Sequence, residues 1–139
     1  MGTTIKPEIS MKNRYWINRH RYYELKHFCL QYPSWERSYV ALDGMTRKSV
    51  DIIDVTKTNE QIDVTGNCAV AKTYYLERMR MVRDTAMRTD EELGDYIFQA
   101  VTKGLSYTQL KTQLEIPCSK DTYYERYRRF FWLLNQARQ

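Results

Sequence analysis

At 139 residues, with 42% hydrophobic and 28% charged side chains, the chain has the size and composition of one soluble globular domain with a real core. Five glycines and three prolines exclude collagen-like, mucin-like and wholly disordered classes, and the longest apolar run, the five residues Phe130 to Leu134, is far below the roughly 18 of a membrane span. The net charge of +5 is uneven, with +5 on residues 1–50, −3 on residues 51–118 and +3 on residues 119–139. Charge of this size is weak evidence of a nucleic-acid partner on its own, so its position on the predicted elements matters more.

Residues 1–11 read as a flexible N-terminus without the apolar stretch of a signal peptide, which makes the cytoplasm the expected location and a membrane an excluded partner. From Lys12 to Tyr32 a helix is predicted, because Leu25, Phe28, Cys29 and Tyr32 recur at helical spacing, with Trp16 and Tyr22 extending the stripe. Pro33 ends it. Ser34 then reads as the N-cap of a short second helix with Trp35, Tyr39 and Leu42 on one face and Gly44 as its stop, so residues 12–44 form a helical hairpin. Residues 45–65 lack a helical period and read as a polar connecting loop, in which Ile52, Ile53 and Val55 suffice for one short strand at most.

A third, long helix is predicted from Thr65–Asn67 onward, with Cys68, Ala71, Tyr75, Met79, Val82 and Ala86 at alternating steps of three and four. Thr89 and Glu92 have the spacing of a capping box. Behind them Leu93, Tyr96, Ile97, Ala100 and Val101 form a stripe that ends at Gly104, placed to take the left-handed conformation. Ser106 caps a short helix with Tyr107, Leu110 and Leu114 inward, and Pro117 disfavours helix at Ile116. Ser119 caps the last helix, whose inward stripe is Tyr124, Tyr127, Phe131 and Leu134. The expected fold is all-α, with residues 66–138 forming a long helix and a C-terminal helix-turn-helix. Leu25, Phe28, Trp35, Tyr39, Tyr75 and Val82 would share one core with that unit, in one compact domain overall.

The last helix carries the candidate chemistry. Lys120 and Arg126 can donate to guanine O6 and N7 in a major groove, and Thr122 or Tyr123 can meet thymine methyls or phosphate. Ser119 marks a helix N-terminus with backbone N–H groups suited to phosphate, and Arg128 and Arg129 suit backbone phosphates further along. Among these Arg126 is the preferred base-edge contact and Arg129 the preferred phosphate contact. The bland alternative is the solvated basic face of an ordinary core helix.

The segment Leu105-Ser106-Tyr107-Thr108-Gln109-Leu110, then Leu114-Glu115-Ile116, then Ser119-Lys120-Asp121-Thr122 and Arg126, resembles the helix-turn-helix of the promoter-reading region of sigma factors (region four). With the helix ending at Tyr32-Pro33, the polar middle and the long helix, the layout resembles phage late-gene regulators of the RinA and ArpU type. The resemblance implies a phage or prophage transcription activator that binds double-stranded DNA, with RNA polymerase as a further partner. Pro117 and Cys118 make the turn about two residues longer than the sigma-like form. The competing readings are a packaging or assembly protein such as a small terminase subunit, and a protein-binding module whose basic face meets polymerase.

No phosphate loop, nucleophile elbow or HExxH motif is present, so no catalytic residue, cofactor or metal is expected. His20 and His27 lie seven apart near one helix face without the further ligands that zinc needs. Cys29, Cys68 and Cys118 are odd in number and widely spaced, as reduced thiols are. Cys118, at a helix start, would have its thiol pKa lowered by the helix dipole, but no histidine accompanies it. The apolar run Phe130–Leu134 covers more than one helix face, which favours a homodimer.

Overall fold

A computed structural model describes residues 13–53 and 59–139, and the side chains of 13–44 and 66–139. Among the described residues there are six helices and no strand: α1 Arg19–Leu30, α2 Tyr32–Ile53, α3 Asn59–Thr89, α4 Gly94–Lys103, α5 Tyr107–Leu114 and α6 Lys120–Ala137. The fold is all-α, as the periodicity predicts. The described chain divides into two compact units: one holds residues 13–31 together with Met81–Gln139, the other lies within Tyr32–Arg80.

The first helix starts later than Lys12. Asn13 instead makes a turn, its Oδ1 accepting from the Tyr15 N–H at 2.8 Å and its carbonyl from the Trp16 N–H at 3.0 Å. Asn18 is the cap, its side chain accepting from the His20 N–H at 2.8 Å. Pro33 does not divide two helices at its own position but lies in the first turn of α2, where a missing N–H breaks no helical bond. Ser34 is therefore inside the helix rather than its cap.

Residues 45–53 and 59–65, read as a polar loop, belong to α2 and α3. An apolar period reports a buried face, not helicity itself, and residues 45–65 contain neither glycine nor proline to break a helix. Gly44 is not a stop, since among the described glycines only Gly104 has positive φ. Ile52 and Ile53 end α2 as helix, while Val55 lies outside the described residues.

In the unit Tyr32–Arg80, Lys72 of α3 donates to Asp43 of α2 at 2.9 Å and sits over the Tyr39 ring at 5.5 Å. Trp35 and Cys68 are buried, and the Tyr32 and Trp35 rings meet at 6.2 Å. Tyr39 and Tyr75, expected in a common core, are only half-buried.

The other unit buries Tyr22, Leu25, Phe28 and Cys29 of α1 with Val82 and Ala86 of α3, Ile97, Ala100 and Val101 of α4, and Leu110 of α5. Gly94 lets α4 approach α3 closely, because a Cβ there would lie 2.7 Å from Met87 Sδ and 3.1 Å from the Ala86 carbonyl oxygen. The capping box before it does not form. Thr89 donates its hydroxyl back to the Thr85 carbonyl at 2.7 Å, and Asp90 Oδ1 accepts from the N–H groups of Glu92 and Leu93 at 2.9 and 3.0 Å. Gly104 closes α4 with φ 70°, and Ser106 with Gln109 forms a reciprocal capping box on α5.

Phe130, Phe131 and Leu134 of the apolar run are buried in this unit, and the half-buried Trp132 meets the Tyr15 ring at 5.7 Å. Most of the apolar excess in that run is thereby taken up internally. Phe28 is capped by the Arg138 guanidinium, 3.8 Å above its ring. Phe28→Ala should cost about 3–5 kcal/mol in urea denaturation, and a loss below about 1 kcal/mol would contradict this packing.

Candidate nucleic-acid interface

The link between α5 and α6 is held from both sides. Glu115 takes the left-handed conformation (φ 54°, ψ 45°) to close α5, and Ile116 returns its N–H to the Leu110 carbonyl at 3.3 Å while its side chain is fully buried. Lys111 Nζ donates to the Ile116 carbonyl at 3.3 Å, and the Tyr107 hydroxyl donates to the Cys118 carbonyl at 2.6 Å. Ser119 then caps α6: its Oγ accepts the Thr122 N–H at 3.2 Å and donates to Thr122 Oγ1 at 3.0 Å. A five-residue link so tied gives α6 a defined direction despite being longer than the sigma-like turn.

Burial fixes the rotation of α6. Tyr123, Tyr124, Phe130, Phe131 and Leu134 are buried, and Tyr127 shares a 2.7 Å hydrogen bond with the Tyr22 hydroxyl of α1. Arg21 Nε donates to Asn135 Oδ1 at 2.7 Å, fastening the far end of α6 to the same helix. Ser119, Lys120 and Thr122 are exposed at its start.

Two of the predicted contacts are corrected by this rotation. Tyr123 is 1% exposed, packed between the Tyr107 and Tyr127 rings at 5.8 and 6.0 Å, so it is core and cannot touch DNA. Burial raises its hydroxyl pKa. Arg126 is engaged within the protein, its Nε donating to Asp90 Oδ2 at 2.8 Å and its Nη1 to Glu125. It ties α6 to the turn before α4 instead of pointing to a base.

Burial pushes the Asp90 carboxyl up, but the Arg126 guanidinium and the N–H groups of Leu93 and Glu92 outweigh it, and the pKa lies below the ordinary 3.8. Cys118 is not an activated thiol: burial, then Asp90, raise its pKa against the smaller effects of Lys111 and Arg126. His20 and His27 are exposed on α1, and no cluster of three metal-ligating side chains occurs among the described residues.

Arg128 and Arg129 are half-buried and line an open groove of about 510 Å³ with Arg14, Arg126, Asn13, Tyr15 and Glu125. The contribution of Asn13–Tyr15 was not visible in the sequence, since more than a hundred residues separate it from α6 and no spacing rule links them. No family model matches this chain, and no curated protein or solved structure gives a match.

The Asp90–Arg126 pair makes a pH-dependent prediction. Asp90→Asn and Arg126→Ala should each cost about 1–2 kcal/mol near neutral pH, with coupling between them in a double-mutant cycle. A depressed carboxylate pKa contributes stability above the unfolded value and loses it as pH falls through the lower folded value. Denaturation titrations from neutral pH to about pH 2 should therefore show Asp90→Asn losing less stability on acidification than the parent.

Proposed function

We propose that this protein is a sequence-specific DNA-binding transcription regulator of the phage late-gene kind that its C-terminal segment resembles, with α6 as the reading helix. The observation that carries the reading is the exposed, side-chain-capped start of α6 on a three-helix support, its opposite face buried. An 18-residue helix is about 27 Å long, and a major groove about 12 Å wide admits its first turns.

Each residue has a stated role. Lys120 and Thr122 read base edges, Lys120 as a donor to guanine and Thr122 through its methyl to thymine. The backbone N–H groups after Ser119 face phosphate, where the helix dipole favours an anion. Arg128 and Arg129 neutralise backbone phosphates. Arg126 holds the reading helix in register through Asp90, because displacement of the helix would misplace every base contact together. Activation through RNA polymerase belongs to the same proposal, and the basic ends of the chain are compatible with it.

Selection from a random duplex pool tests the reading. An enriched motif is expected, and Lys120→Ala and Thr122→Ala should each lose about 1–3 kcal/mol on it with little change on random DNA. Arg126→Ala should lower stability more than it alters the motif. A pool with no enriched sequence would overturn the regulator reading, and a ring in native mass measurement would then support packaging.

A further inference from the structure

We propose that the groove between the Asn13–Ile17 turn and the middle of α6 holds a phosphodiester of the DNA backbone, with Arg14 and Arg129 as its charge contacts. This rests on the DNA-binding reading and adds to it a second contact surface, indifferent to sequence.

The turn that carries Arg14 is fixed. It has the two Asn13 hydrogen bonds at 2.8 and 3.0 Å, and Tyr15 and Ile17 on either side of Trp16 are 8% and 4% exposed. Tyr15 packs edge-on against Trp132 of α6, while the exposed Arg14 guanidinium lies 5.0 Å from the Tyr15 ring centre. Arg14 is therefore held beside α6 by a buried aromatic anchor rather than by chance proximity.

The charge in the groove is unbalanced. Glu125, the carboxylate that lines it, is bound to Arg126, which also holds Asp90. Arg14, Arg128 and Arg129 have no ion pair among the described residues, and all three line the groove. Guanidinium groups match phosphate oxygens in geometry, donating two parallel hydrogen bonds.

Position and lining favour DNA over an acidic protein. Arg129 lies seven residues beyond Thr122, about 10 Å along the helix axis, so a helix with its first turns in a major groove brings it toward the flanking strand. Apart from the Tyr15 ring, the lining offers no hydrophobic pocket of the kind that anchors a protein partner.

The test is the salt dependence of binding to a short duplex of random sequence. Arg14→Ala and Arg129→Ala should each reduce the slope of log K against log salt by about 0.9, the value for one phosphate contact. Arg14→Lys and Arg129→Lys should retain most of the slope, and thermal melting should show the alanine variants folded. The selected DNA motif should be the same for all four variants.

An unchanged slope in Arg14→Ala alongside an intact motif overturns the groove and leaves the reading helix standing. Loss of the motif in the parent with the Arg-dependent slope retained overturns sequence reading and supports the groove. Failure of the parent to bind any duplex overturns both. Displacement of the duplex by poly-glutamate at equal charge concentration, with the same dependence on Arg14 and Arg129, would assign the groove to an acidic protein instead.

Discussion

The buried aromatic face of α6 is the constraint on which the unit containing the candidate interface depends. Successive residues on a helix are turned by about 100°, so burying Tyr123, Tyr124, Phe130, Phe131 and Leu134 leaves little choice of outward face. The Tyr22–Tyr127 hydrogen bond and the Tyr22–Phe131 ring contact at 5.1 Å lock that choice against α1. The helix proposed to read DNA is thus also a central core element, and its outward and buried faces are parts of one arrangement.

That arrangement carries a cost at Tyr123. Its hydroxyl is buried without a hydrogen-bond partner among the described residues, which costs about 1–3 kcal/mol. Burial of the ring among Tyr107, Tyr124 and Tyr127 offsets it, since an aromatic side chain removes a large apolar area from water and gains further from edge contacts. Phenylalanine would satisfy the packing without the orphaned hydroxyl, and nothing in the structure explains why tyrosine stands there.

The arginines of α6 divide their work according to their carboxylate neighbours. Asp90 accepts two backbone hydrogen bonds with Oδ1 and the Arg126 guanidinium with Oδ2, so a single side chain orders the turn before α4 and fixes α6 to it. Arg128 and Arg129 instead line the groove with Arg14. An arginine satisfied by two carboxylates is a poor phosphate ligand, whereas one without an ion pair keeps its charge for a partner. Under the proposed reading, holding α6 in place and attracting the DNA backbone fall to different members of one short basic run.

The sequence by itself determined what local physics can specify: the helical class, the start of α6 at Ser119, the cap at Ser106, the left-handed Gly104, and the buried stripe through Leu25, Phe28 and Cys29. Caps and stripes act over three or four residues, so their signals are complete within a short window. The exposed start of α6, which carries Lys120 and Thr122, was legible for the same reason. Residues 45–53 and 59–65 are helical although their sequence has no apolar period, so no periodicity marks them. Only the tertiary structure decided that Tyr123 turns inward, that Arg126 belongs to Asp90 across 36 residues, and that Arg14 joins the groove. Each depends on how α6 is rotated against distant helices, and that rotation is a property of the packed core rather than of any local pattern.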